Sequence, residues 1–598
     1  MKAKRLMKRL LGASIAAVMG LSAMPLSAKA AELPHGRLNW WETYQTIDGF
    51  GVSQAADVYA RDIYEFALRD EVMDLLFSRD KGIGLSILRC EVGNGLNMPT
   101  IEPQKGVWDF TPYEPEQWVI REARARGVDK IMSTVWSPPV WMKTNNKITN
   151  GGRLKKECYQ DYADYLAAYI KGYRDYHGVT IDAVSIANEP EYAATWQSCL
   201  WSGAEFTDFL ANYLGPTFER EGLTTDVIVG EEGTWTEKRL YDVFDDWRAT
   251  QAFDIVGAHY YHGGPHIFGS AQNAGKRVWL TETSATMSWS TDFKDGVCWS
   301  RYIHNFMTGA NTNAFIYWLG ASWKRNNESL IRFDGEHSYI DAKRLYSMGN
   351  YSKFVRPGFV RIGITENPVG NVHLSAYKNP NTGEFAIVAV NDGWNNESFV
   401  LDFDSLYCGE LTPHITNDRY NLETMDPIAT DGRSVQLNIS GLSTITWTGV
   451  ENSAIPQGQD WRLTDYLDDY SKIYDMSRNW MLEGNNPYNA FEHDTSRARR
   501  TKKSREYIVY QLDDMTYFEA LIYYHIALQG MSFEVSSDGW NWQEISVSYP
   551  PATLTGGYWE KILVTPTWDL PYGTRYLKVV FDKGGKAWDK HLSEINIR

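Results

Sequence analysis

Two glutamates are set apart by their surroundings. Glu189 lies in Ile186-Ala187-Asn188-Glu189-Pro190 and Glu282 in Trp279-Leu280-Thr281-Glu282-Thr283, each at the end of a short apolar run. A pair of facing carboxylates is the minimal apparatus for breaking a glycosidic bond. The two must differ in state. Glu282 would stay ionised and attack the anomeric carbon, while Glu189 would start protonated, donate to the leaving oxygen and then activate water. That division needs a cation beside one carboxylate and partial burial of the other near the first negative charge. Arg89, closing another run, is the candidate cation, and Asn188 is placed to hydrogen-bond a sugar 2-hydroxyl. Other acids at predicted strand ends, Glu91, Glu231 and Glu232, are assigned to ordinary salt bridges.

The elements that would position this pair recur along the chain. Apolar, β-rich runs at 46–51, 85–91, 130–136, 183–188, 227–231, 255–259, 278–281 and 314–318 alternate with amphipathic segments. In one of these, Tyr162, Leu166, Tyr169, Ile170 and Tyr173 repeat at helical spacing. Eight such units match a (β/α)₈ barrel, in which strands four and seven face each other across one mouth. A doubly wound sheet is the alternative, but Gly49-Phe50-Gly51 lacks the third glycine of a nucleotide turn. The sequence places Trp136, Trp141, Trp196, Trp201, Trp318 and Trp323, with Tyr192, Tyr260 and Tyr261, at or just beyond strand ends. An indole stacks on the C–H face of a sugar, so these side chains, with His259, are read as substrate contacts. His259, His262 and His266 lie in a Gly-Gly-Pro loop rather than on one helix face, and are read as polar lining of a cleft, with no metal expected.

The domain reading assigns residues 1–30 to a secretory leader and 31–45 to a segment joining a side β domain. Residues 46–355 are assigned to the barrel, 356–450 to a side β-sandwich, 451–457 to a linker and 458–598 to a further β-sandwich. The leader has a basic start through Arg9, an apolar run from Leu10 to Met24 and Ala28-Lys29-Ala30 at its end, and predicts a secreted, extracellular protein. The formal net charge is −16, and the leader contributes only basic residues, so the remainder is more acidic still. Such a charge argues against nucleic acid and anionic membrane as partners. Five cysteines in 598 residues exclude a disulfide framework. No phosphate loop, nucleophile-elbow serine or metalloprotease helix is present. The basic stretch Arg497–Arg505 is read as a solvated loop, with a contact for acidic sugars as the alternative.

On these residues the chain resembles glycoside hydrolase family 30, in its bacterial xylanase branch. The resemblance rests on Ile47-Asp48-Gly49-Phe50-Gly51, Trp136-Ser137-Pro138-Pro139-Val140-Trp141-Met142-Lys143-Thr144-Asn145, Asn188-Glu189-Pro190 with Trp196-Gln197-Ser198-Cys199-Leu200-Trp201, Leu280-Thr281-Glu282-Thr283, and Ser352-Lys353-Phe354-Val355-Arg356-Pro357-Gly358. It implies a barrel with an attached β-sandwich, retention at the anomeric carbon, Glu189 as acid/base, Glu282 as nucleophile, no cofactor, and xylan or glucuronoxylan as substrate for a monomeric enzyme. Many such xylanases hold a glucuronate branch through an Arg and a Tyr after the eighth strand. Here that loop, Leu319–Asn327, departs from the pattern, with Arg325 or Lys324 as substitutes. Xylobiose-releasing action, a β-1,6-linked glucan or galactan as substrate, and a non-catalytic polysaccharide-binding protein are the alternatives. The last domain is similar to discoidin-like carbohydrate-binding sandwiches.

Overall fold

A computed structural model describes residues 33–55, 57–404, 406–432, 434–451, 461–484, 496–525, 528, 530–549, 552–554, 559–567, 570–571 and 573–598. The expected leader, and the expected linker beyond residue 451, lie outside them.

The first strand, β1 (His35–Thr46), precedes the barrel. The barrel strands are β2 (Gly49–Ser53), β3 (Ile87–Glu91), β4 (Lys130–Thr134), β5 (Ala183–Ser185), β6 (Asp226–Thr234), β7 (Ile255–His262), β8 (Arg277–Glu282) and β9 (Ala314–Tyr317). They pair in that order, all parallel, and β9 closes onto β2. The first apolar run is displaced by the structure, because Thr46 ends β1 and the barrel strand begins only at Gly49. Between them, Ile47 N–H donates to Phe359 and Asp48 N–H to Asn313.

Both faces of β2 and β3 are buried, as expected of strands covered by helices outside and side chains within. The barrel interior is filled by Ile87, Met132, Ala183, Ile228, Ile255, Trp279, Ala314 and Ile316, so it is a packed core and not a pore. The Tyr-rich helical pattern forms Tyr159–His177, with Tyr162, Leu166, Tyr169, Ile170 and Tyr173 buried, and Gly178 ends it in the left-handed conformation at φ 67°.

After the barrel come a small sheet of β10 (Leu319–Ser322), β11 (Ser329–Gly335) and β12 (Ser338–Asp341), then the helix Lys343–Ser352. The side sheet follows as β13 (Val360–Ile364), β14 (Val372–Lys378), β15 (Glu384–Asn391), β16 (Glu397–Asp404), β17 (Cys408–Thr416), β18 (Glu423–Thr424), β19 (Ile428–Gly432), β20 (Ser434–Ile439) and β21 (Ser443–Val450). β14 and β15 form the hairpin signalled by Asn379–Gly383. β1 is built into this sheet, antiparallel to β13 and parallel to β16. Leu411 from one end of the sheet and Leu437 from the other share one core with Leu38 and Trp40, so the sheet bends round its own apolar face.

The described strands from Leu463–Asp465 to Lys590–Ile597 form an eight-stranded and a five-stranded antiparallel sheet. One core joins them, with Phe518 of the first stacked on Phe533 of the second at 5.0 Å. The basic stretch divides: residues 501–505 are mostly exposed, with a bend over 501–504, as a solvated loop would be, whereas its first half is not. Ser496–Arg500 is a strand in which Arg497 and Arg500 are buried. Arg500 donates to the carbonyls of Ser504, Asp582, Gly584 and Lys586, satisfying a buried guanidinium with backbone acceptors.

One buried acid gives the fold a pH dependence. Glu116 accepts from the Tyr173 hydroxyl and the Glu91 N–H, and burial, with Glu91 nearby, pushes its carboxyl up to about 8. The folded chain thus holds a proton that the unfolded chain releases, so stability falls as pH rises from the ordinary carboxyl range toward 8. Glu116→Gln should raise the melting temperature by several degrees, ~3–6 °C, at alkaline pH and leave it nearly unchanged at about pH 5, as read by calorimetry.

Candidate active site

The residues of the barrel mouth are arranged around Arg89, at the end of β3 and fully buried. Its guanidinium donates to Glu282 Oε2 at 2.5 Å, Asn188 Oδ1 at 2.8 Å, Glu231 Oε2 at 2.9 Å and Thr134 Oγ1 at 3.2 Å. It lies 4.5 Å from the centre of the Trp136 ring and 6.0 Å from that of Trp318, cation–π distances. Burial opposes its charge, but Glu231 and Glu282 outweigh burial and hold the guanidinium firmly protonated.

Local backbone irregularities aim the acids. On β6, Gly230 pairs with Gly257 and Glu232 with Ala258, leaving Glu231 as the extra residue of a bulge at φ 58°. A Cβ at Gly230 would stand 2.6 Å from the Gly257 carbonyl, so only glycine fits there. On β8, Leu280 pairs with Ala258 and Glu282 with His259, which sets Glu282 level with His259. Bulges commonly re-aim side chains beside active sites. Glu189, just past β5, is itself left-handed at φ 42° and donates its N–H to the Glu231 carbonyl at 2.9 Å.

Carboxylate oxygens of Glu189 and Glu282 and a ring nitrogen of His259 all lie within 4.8 Å of one another. Tyr261 donates its hydroxyl to Glu282 Oε1 at 2.8 Å; burial, and then the Glu282 charge, push its ionisation far up and keep it a donor. His259 is fully buried, 3.6 Å from Glu189, 3.8 Å from Glu282 and 3.8 Å from Glu231. Burial works against its charge, but the carboxylates prevail and raise it to about 10, so the ring is a cation. Glu231 falls to about 2, because Arg89 and His259 overcome the effect of burial. A metal ion between Glu189, His259 and Glu282 would meet the Arg89 guanidinium and a charged imidazole, so the donor set does not suit one. A second convergence, His304, Glu366 and His373, adjoins Arg301, whose guanidinium pairs with Asp392.

The aromatic residues fall into two classes. Tyr192 and Trp196 are 50% and 48% exposed, with ring centres 5.7 Å apart, on the loop that begins at Glu189. Trp323 is 46% exposed and rests edge-on against Phe66 and Phe333, while Trp136 and Trp318 line the floor, 6.2 Å apart. Trp201 is 2% exposed, stacked on Phe206 at 5.1 Å among Tyr159, Tyr162 and Phe209. It is a core residue, contrary to its expected place as a sugar contact. His259 is likewise corrected, since its ring faces the carboxylates. Of the two substitutes expected for the glucuronate contact, Lys324 is held by Glu328 and lies over the Tyr59 ring. Arg325 is exposed on the strap before β11, where its carbonyl accepts from the Trp289 N–H.

Residues 35–267 match the model of O-Glycosyl hydrolase family 30. The match runs from β1 through β7. Over 329 residues the chain is 29% identical to the glucuronoxylanase XynC of Bacillus subtilis (strain 168), covering 53% of this chain and 73% of that protein. It is 26% identical over 372 residues to the galactocerebrosidase of Homo sapiens, covering 60% of this chain and 48% of that one. Among solved structures, the catalytic domain of a family 30 xylanase C from Talaromyces cellulolyticus aligns with a TM-score of 0.64 at 28% identity, over 70% of this chain and all of that one. The family 30 subfamily 8 xylanase Xyn30A from Clostridium acetobutylicum aligns at 0.61 and 28% identity, over 70% and 99%.

The two classes of tryptophan are separable by mutation. Trp201→Ala should cost about 3–5 kcal/mol in denaturant unfolding, because it empties a packed site. Trp196→Ala, on the surface, should stay within about 0.5 kcal/mol of the parent.

Proposed function

We propose that this protein is a secreted, retaining endo-β-1,4-xylanase acting on xylan or glucuronoxylan. The observation that carries the reaction type is the approach of Glu189 and Glu282 oxygens to within 4.8 Å. Retaining glycosidases hold their carboxyl groups about 5–5.5 Å apart, whereas inverting ones need room for a water between them.

In this reading, Glu282 attacks the anomeric carbon while Glu189 gives its proton to the departing glycosidic oxygen. The bond to the leaving sugar breaks as the ester to Glu282 forms. Water then gives its proton to the Glu189 carboxylate and its oxygen to the anomeric carbon, freeing Glu282. Arg89 and Tyr261 fix both oxygens of Glu282, one to each, so that the carboxylate is held in place for attack. Asn188 spends its carbonyl oxygen on Arg89, which leaves its amide N–H groups to donate to the sugar 2-hydroxyl.

The substrate class rests on the likeness to xylanases and on the exposed rings of Tyr192 and Trp196. They project from the loop bearing the acid/base, where the leaving sugar must sit, and so support cleavage within a chain. The leader at 1–30 supports export, and the C-terminal sandwich is proposed to hold polysaccharide.

Glu282→Ala should lower kcat on glucuronoxylan by roughly 10³-fold or more. Proton NMR of the first product formed by the parent should show the β anomer. Undiminished release by the variant, or the α anomer first, would overturn the mechanism. Chromatography of products from xylan, glucuronoxylan, β-1,6-glucan and galactan tests the substrate, with xylo-oligosaccharides expected. Removing residues 458–598 should spare hydrolysis of soluble xylan and weaken retention on insoluble xylan in a pull-down.

A further inference from the structure

The reaction above gives Glu231 no task, yet the structure goes to some length to bury it. The side chain is fully enclosed and sits on a bulge in a backbone conformation that L residues rarely adopt. Such a conformation persists only where the surroundings enforce it. Gly257 on the next strand leaves the space: a Cβ there would lie 3.0 Å from Glu231 Oε1. Its neighbour Glu232 turns away to Arg239 at 3.0 Å, so the bulge separates two consecutive acids into different surroundings.

Glu231 meets the mouth through two routes. Its carboxylate takes an N–H of Arg89 at 2.9 Å and lies 3.8 Å from His259 Nε2. Its backbone carbonyl takes the Glu189 N–H at 2.9 Å. Three strands and the segment after a fourth bring ionisable groups to the same place: Arg89 from β3, His259 and Tyr261 from β7, Glu282 from β8, with Glu189 following β5. Two cations, Arg89 and His259, thus stand against Glu231 and Glu282, with Glu189 left to exchange its proton. Without Glu231 the cations would outnumber the permanent anion.

We propose that Glu231 is a positioning residue of the reaction, its carboxylate holding Arg89 against Glu282 and His259 between Glu282 and Glu189, while its backbone carbonyl anchors Glu189. The inference rests on the glycosidase reading above. Charge balance is the core of it. A buried negative charge opposes ionisation of the other carboxylates and keeps His259 protonated, so His259 does not draw the proton that Glu189 must deliver.

Glu231→Gln keeps the shape and removes the charge. It should lower kcat/KM on xylan at least tenfold and move the whole pH profile of kcat/KM toward acid by about one unit, because loss of a buried anion favours deprotonation of every acid left in the cluster. Glu231→Asp keeps the charge and tolerates the left-handed backbone, and should restore the position of the profile. A Gln variant with an unmoved profile, whatever its melting temperature, would overturn the inference. Full activity in Glu282→Ala would instead overturn the glycosidase reading. If Glu231→Gln does not fold, ¹⁵N-histidine NMR of the parent decides: one ring, absent in His259→Gln, should stay protonated above about pH 8, and loss of its proton near neutral pH would sink the proposal.

Discussion

A guanidinium buried among carboxylates is a poor way to stabilise a fold, since removing each ion from water costs several kcal/mol. Arg89 is tolerable only because its donors meet acceptors from β4, β6, β8 and the exit of β5, with the Trp136 ring beneath. Those acceptors are remote in sequence and come together only when the sheet has closed. The same bonds that compensate the charge also set the Glu282 carboxylate and the Asn188 amide in place. Chemical order in the mouth and completion of the barrel are therefore one event.

The backbone has been bent to make this possible. Glu189 and Glu231 both hold left-handed conformations, and a single N–H···O=C bond ties one to the other. Strain of this kind would be lost in a flexible loop; here it rests on strands whose inner faces are packed with Ile, Met and Trp. The apolar core is thus what keeps the polar site in its unfavourable geometry.

Much of this was legible in the residues themselves. A strand-closing glutamate after Asn and another after Thr marked the two acids, and the alternation of runs and helices marked the barrel. Arg89 was legible because it too ends a run. The role of Glu231 was not: one sequence can show that an acid ends a strand, but not that a bulge turns it inward while its neighbour turns out. Trp201 misled for a related reason, since Trp196 and Trp201 share a loop and only packing distinguishes the one on Phe206 from the one in solvent. The first half of the basic run misled because Arg500 finds backbone carbonyls distant in sequence, from Asp582 to Lys586.

β1 carries a consequence for biosynthesis. His35 lies opposite Val400 in a parallel ladder, and Leu38 opposite Ile364 in an antiparallel one. This strand, the earliest among the described residues, has no companion until most of the molecule has left the ribosome. At about 5–20 residues per second, that interval is roughly 20 to 70 s. Throughout it Leu38 and Trp40 are apolar side chains without a core, a surface open to chaperones.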